Sequence, residues 1–173
     1  LVIGGGMANT FLAAKGIKVQ LVWEDDTGKP QVGLSAMDKL ATRDNVVGVV
    51  GAYTSAVTNA VAKKAEQYKM PLVNPVASKE EITRQNYKYV FRVSATTGDY
   101  AAILLDMATS LGKPKTIAIL SENTDFGVSG AKSAKDYADK KGIKVVFEEA
   151  YSPGSPDYRS TLVKVKGATP DLM

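Results

Sequence analysis

The chain contains no cysteine and no histidine. Without cysteine there are no disulfides, no thiolate nucleophile and no zinc-finger spacing. Without histidine a Ser-His-Asp triad and imidazole metal sites are excluded within these residues, which removes a large share of hydrolase chemistries. Apolar runs are also short. None approaches the roughly 18 residues that a membrane-crossing helix needs. The first residues, Leu1-Val2-Ile3-Gly4, have neither the basic region nor the long apolar core of a signal peptide, which a mature secreted chain would equally lack. Charge of one sign is scarce as well: 22 Lys+Arg stand against 18 Asp+Glu, a net +4. Lys63, Lys64, Lys132, Lys135, Lys140 and Lys141 are interspersed with acids in the manner of a solvated surface, so no nucleic-acid partner is expected.

What is present is an ordinary globular composition, 45% hydrophobic and 23% charged. It is enough for one domain with a good core or two small lobes. The most informative stretch is 45–69, NVVGVVGAYTSAVTNAVAKKAEQYK. It predicts a buried strand over 46–50, a glycine-led turn over 51–54 and an amphipathic helix opening at Ser55. Val57, Val61, Ala65 and Tyr68 recur at helical spacing and Pro71 stops the pattern. Such a turn presents N–H groups and hydroxyls at the positive end of a helix, where a carboxylate can sit. The competing reading is that Thr54 or Ser55 simply caps the helix.

Around it the pattern repeats. Residues 1–16 read as the end of a helix with a glycine stop, and Gly4-Gly5-Gly6 lacks the spacing of a phosphate loop. Strands are expected over 18–24, 71–73, 89–93, 116–120 and 144–149. Helices are expected over 31–42, 128–141 and from an Asp157 cap, with one helical turn after the capping box Ser78-Lys79-Glu80-Glu81. The stripe Tyr100, Ile103, Leu104, Met107, Ala108 and Leu111 marks a further amphipathic helix, and 171–173 begin another strand. About six β-α units in succession predict an α/β fold with a parallel sheet and helices on both faces. The segment 94–99, SATTGD, is the expected boundary, giving domains 1–94 and 95–173.

Ligands of such sheets bind beyond the carboxyl ends of the strands. The residues placed there are Asp25, Asp26 and Thr27; Tyr53, Thr54 and Ser55; Asn74, Val76, Ala77 and Ser78; and Ser121, Asp125, Phe126 and Gly127. Asp25 and Asp26 read as turn carboxylates that bond backbone N–H groups. Asp125-Phe126-Gly127 matches a kinase magnesium tripeptide by chance, since the histidine of the accompanying loop is missing. Hydroxyls and main-chain groups without a general base argue for binding, each charge-assisted bond to a carboxylate contributing about 1.5–3 kcal/mol. No catalytic residue, metal or cofactor is expected.

The segments DNVVGVVGAYTSAVTNAVAKKAEQYKMPLVNPVAS, EEITRQNYKYVFRVSATTGDYA and IAILSENTDFGVSGA together resemble the type I periplasmic binding proteins. The likeness runs from about residue 18 to 173, and the branch is that of leucine/isoleucine/valine-binding components of ABC transporters. The resemblance implies two Rossmann-like lobes, joined by a three-strand hinge, that close on a small amino acid for delivery to a membrane permease in the periplasm. It implies that Ser55 binds the ligand carboxylate through hydroxyl and backbone N–H, beside Tyr53 and Thr54. Ala77 and Ser78 would receive its amino and carboxylate groups. Phe126 stands where the family usually has tyrosine. The family's first strand would precede Leu1, and the turns that hold the ligand ammonium group would follow Met173. On this reading the chain is lobe 1 without its first strand plus the first part of lobe 2, with sheet edges open to self-association. The alternative with the same fold is the ligand-sensing module of a receptor or transcription regulator.

Overall fold

The computed structural model describes residue 16 and residues 20–173. The helix end expected over 1–16 and the start of the strand expected over 18–24 therefore lie outside the described residues. The chain forms two compact units. The first holds the described residues up to Ala77 together with Glu81–Ser94, and the second Ser78–Glu80 together with Ala95–Met173.

In the first unit, helix α1 (Pro30–Thr42) leads to strand β1 (Val49–Val50), helix α2 (Ser55–Tyr68), strand β2 (Leu72–Asn74) and strand β3 (Val90–Arg92). Between β2 and β3 the expected helical turn is a short 3-10 turn, Glu80–Ile82. The strands run parallel in the order β1-β2-β3, with Leu72 opposite both Val49 and Val90. Parallel strands require a crossover, and α2 is the one between β1 and β2. Its apolar stripe (Val57, Val61, Ala65) packs with Met37, Leu72, Ile82 and Val90 in one core. Removing a fully buried leucine such as Leu72 from such a core costs about 2–5 kcal/mol. The helices α1 and α2 approach so closely that a Cβ added at Gly33 would lie 2.5 Å from Val57 Cγ1. The α2 helix ends where Lys69 turns left-handed (φ 53°), two residues before Pro71. Its Glu66 carboxylate accepts the N–H groups of Lys88 and Tyr89, both at 2.9 Å, and so fixes where β3 begins.

Two strand expectations are corrected here. Residues 20–26 carry no strand pairing, and β1 covers only the last two residues of the predicted 46–50. A strand exists through its ladder partner, and among the described residues none is paired in a ladder with 20–24. Asp25 and Asp26 behave as predicted, accepting the N–H groups of Thr27 (2.8 Å) and Gly28 (2.7 Å).

The second unit runs from helix α3 (Thr97–Gly112) through strand β4 (Thr116–Glu122), helix α4 (Asp125–Lys141) and strand β5 (Lys144–Tyr151) to helix α5 (Arg159–Ala168). Strands β4 and β5 are parallel, with a register shift between Ile117 and Ala118. Leu172 bridges Ile117 in parallel as well. Since Ile117 also pairs with Val145, β4 lies between β5 and Leu172, as the strand start expected at 171–173 requires. The core gathers Leu105, Ile117, Ile119, Ala138 and Ile143. The helix α3 starts inside the predicted linker, on a capping box of Thr96 and Asp99. Its other feature overturns the expected packing. The stripe Tyr100, Ile103, Leu104, Met107 and Leu111 is exposed, Leu111 to 81%, while Thr97, Ala101 and Leu105 are the buried positions. A face of small side chains lets α3 approach α4 closely, and periodicity alone does not say which of two faces is covered. Strand β5 has only exposed and half-buried residues, so it is not the doubly covered strand that the sequence suggests. Asp157 also falls short of an N-cap: it accepts the Arg159 N–H at 2.9 Å, but Tyr158 occupies the cap position.

Two residues mark the ends of β4. The Asp171 carboxylate accepts the N–H groups of Lys115 (2.8 Å) and Thr116 (2.9 Å), while its own N–H donates to Thr116 Oγ1 (2.9 Å). Those donors, the Lys115 N–H first, hold its carboxyl below the usual aspartate range. At the opposite end of β4, a Cβ on Gly127 would lie 2.1 Å from the Glu122 carbonyl oxygen. Two outcomes follow. Because the folded pKa of Asp171 is depressed, its contribution is present above the unfolded-state pKa and is lost as pH falls through the folded value. The acid limb of a plot of unfolding midpoint against pH should therefore flatten in Asp171→Asn. Gly127→Ala should destabilise by about 1–3 kcal/mol in denaturant titration, because the obstacle is backbone and cannot rotate away.

Candidate functional site

The predicted site residues divide between the two units. In the first, Ser55 is the first residue of α2 and is 4% exposed. The cap is Thr54, whose Oγ1 accepts the Val57 N–H at 3.3 Å. Of the two caps the sequence left open, Thr54 forms and Ser55 does not. The physical reason is backbone conformation: Thr54 is extended (φ −77°, ψ 146°), as a cap must be, whereas Ser55 is already helical. The turn itself is held by Thr58, whose hydroxyl donates to the carbonyls of Thr54 (2.8 Å) and Ala52 (3.2 Å). Thr58 is fully buried, and the sequence did not single it out. Its signal was a hydroxyl four residues beyond the cap and next to Val57, on a face that is otherwise apolar. Tyr53, by contrast, is 76% exposed.

The loop after β2 is shaped from below by two side chains. Asn74, fully buried, donates from Nδ2 to the Ala77 carbonyl at 2.6 Å and accepts the Val76 N–H at 3.2 Å. Arg92 on β3 donates to the same carbonyl. Ala77 is thereby buried with its carbonyl already engaged. Since β1 and β2 are paired and parallel, the head of α2 and the Ala77 loop lie at the same edge of the sheet.

In the second unit Ser78 is buried, and its carbonyl accepts the Thr97 N–H at 2.9 Å. Lys79 Nζ lies 2.7 Å from Asp125 Oδ2. Phe126, half-exposed, occupies the first turn of α4, which Thr124 caps by accepting the Gly127 N–H at 3.1 Å. Phe126 lines a cleft with Ser121, Glu122, Gly130 and Tyr151. Glu122 and Tyr151 were not foreseen. Strand β5 runs to Tyr151 rather than to the predicted 149, and only this extension puts Tyr151 at its carboxyl end, edge-on to Tyr158 with ring centroids 4.9 Å apart.

The electrostatics are those of ion pairs. Asp38 is lowered by the Tyr68 hydroxyl and the Lys64 ammonium, and Asp106 by Lys141 and Tyr137. Lys39 is raised by Glu24 and Asp44. These are the shifts of surface ion pairs and hydrogen bonds, which lower acids beside donors and raise lysines beside carboxylates.

Residues 6–173 match the family described as Periplasmic binding protein. The chain is 28% identical over 159 residues to the Leu/Ile/Val-binding protein homolog 3 of Brucella melitensis, covering 92% of this chain and 43% of that protein. Among solved structures it resembles the leucine-binding protein LivK of Thermotoga maritima (TM-score 0.84, 22% identity, 95% of this chain and 48% of that one). It also resembles a solute-binding protein of an ABC transporter from Rhodopseudomonas palustris, solved with 3,4-dihydroxybenzoic acid (TM-score 0.81, 24% identity, 96% and 47%). At these identities the structures share the fold. The chain spans somewhat less than half the length of the curated relative. With the match running through nearly all of its residues, this chain belongs to the periplasmic binding protein family.

Proposed function

We propose that the protein containing this chain is the substrate-binding component of an ABC transporter. It captures a small amino acid, branched-chain or similar, between two lobes and hands it to a membrane permease at the extracytoplasmic face. The observation that carries this reading is the head of α2. The helices α3 and α4 each carry a carboxylate of their own in the first turn, Asp99 and Asp125, whereas α2 has no acidic residue there. Its cap is supplied by Thr54, and Ser55 is buried beside it. A helix N-terminus of this kind favours a carboxylate supplied by a ligand. The ligands named for the similar structures, leucine and 3,4-dihydroxybenzoic acid, have a carboxylate in common. Ser55, Thr54 and Tyr53 at the first edge, the Ala77 and Ser78 loop, and Phe126 form the proposed binding set. Among the described residues no helix is long and apolar enough to cross a membrane, as suits a component that a separate permease serves.

In the full-length protein, Ser55→Ala should weaken ligand binding by about 1–3 kcal/mol in calorimetry. Thr54→Ala should mainly lower stability, by about 1 kcal/mol, through loss of the cap. Unchanged affinity in the serine variant would overturn the assignment. The ligand itself is found by a thermal-shift screen of amino acids and small carboxylates, since a ligand at 100 times its Kd stabilises by about 2.7 kcal/mol.

A further inference from the structure

We infer that Lys79 and Asp125 are positioning residues that hold Ser78 and Phe126 in fixed relation within the second unit, an inference that rests on the ligand-binding reading above. Neither residue is assigned a ligand contact. Each is the chain neighbour of a residue that is: Lys79 follows Ser78, and Asp125 precedes Phe126. Their ion pair, 2.7 Å long and bridging 46 residues of sequence, joins Ser78–Glu80 to the first turn of α4 within the second unit. Both partners are partly covered, with side chains 20% and 38% exposed.

The neighbouring residues hold the same segment. The Ser78 carbonyl accepts the Thr97 N–H at the start of α3. Glu80 Oε1 accepts the Ser133 hydroxyl at 3.3 Å, and a Cβ on Gly98 would lie 2.1 Å from that oxygen. The glycine thus leaves room for the carboxylate against the head of α3. Thr97 Oγ1 in turn lies 2.9 Å from Ser129 Oγ and 3.2 Å from Ser133 Oγ, so α3 and α4 are tied to each other through hydroxyls. Three successive residues, 78 to 80, are therefore pinned to two helices, and the Lys79 contact reaches the turn that carries Phe126.

Energetics separate positioning from folding. A partly exposed ion pair adds little to stability, whereas a binding constellation has to be held to about half an ångström to work. Pairing with Lys79 also offsets the Asp125 charge beside Phe126.

The test is calorimetric titration of the full-length protein with L-leucine, L-isoleucine, L-valine and 3,4-dihydroxybenzoate, for wild type, Lys79→Met, Asp125→Asn, the double variant, Lys79→Arg and Ser55→Ala. Unfolding midpoints are measured without ligand in parallel. The expected result is a Kd raised about fivefold to tenfold in each single strut variant, no further loss in the double variant, retention in Lys79→Arg, and ligand-free midpoints close to wild type. A wild-type Kd in both strut variants, while Ser55→Ala binds weakly, overturns the positioning role and leaves the binding site standing. Equal losses of affinity and midpoint that Lys79→Arg does not rescue overturn it too, since they mark a general stability effect. A wild-type protein that binds none of the four probes overturns the site reading and this inference with it.

Discussion

Parallel strand pairing is the constraint from which the rest follows. Two parallel neighbours cannot be joined by a tight hairpin; the chain must cross back, usually through a helix. In the first unit that crossover is α2, between Val49–Val50 and Leu72–Asn74. In the second it is α4, between β4 and β5. Each crossover helix therefore begins beyond the carboxyl end of its strand, with its unsatisfied N–H groups gathered at that edge. The chemistry of each unit is decided by what meets those groups.

The helix heads meet that demand differently. Thr96 and Asp99 close a complete capping box on α3, and Thr124 with Asp125 in the first turn serves α4. The α2 head has a threonine cap and a second threonine, Thr58, that holds the turn from behind, but no acid. A ligand carboxylate would supply the missing charge. Elsewhere, side chains that bond backbone rather than each other stabilise the loops: Glu66 at the start of β3, Asn74 beneath the Ala77 loop and Asp171 across the base of β4. Such bonds hold an irregular segment in one conformation because a buried backbone group left unpaired costs about 1–3 kcal/mol.

Much of this was legible in the residues. The opening of α2 at Ser55, the Asx bonds of Asp25 and Asp26 and the strand start near Leu172 all follow from local chemistry. The two threonines at the α2 head were harder. Cap and first helical residue differ only in backbone angles, which Thr54 and Ser55 could each adopt. Lys79 and Asp125 were harder still, since neither residue type nor local spacing tells a lysine at one loop that its partner lies 46 positions on.

The sequence by itself determined the element types, the parallel α/β class and the absence of thiol and imidazole chemistry, because periodicity, glycine and proline stops and composition act locally. Tertiary structure alone decided which face of α3 is covered, that residues 20–24 stand without a ladder, and that Tyr151 reaches the edge beside Phe126. Each of these depends on a partner distant in sequence. A helix face is buried only if something packs on it, and an extended segment becomes a strand only if another lies alongside.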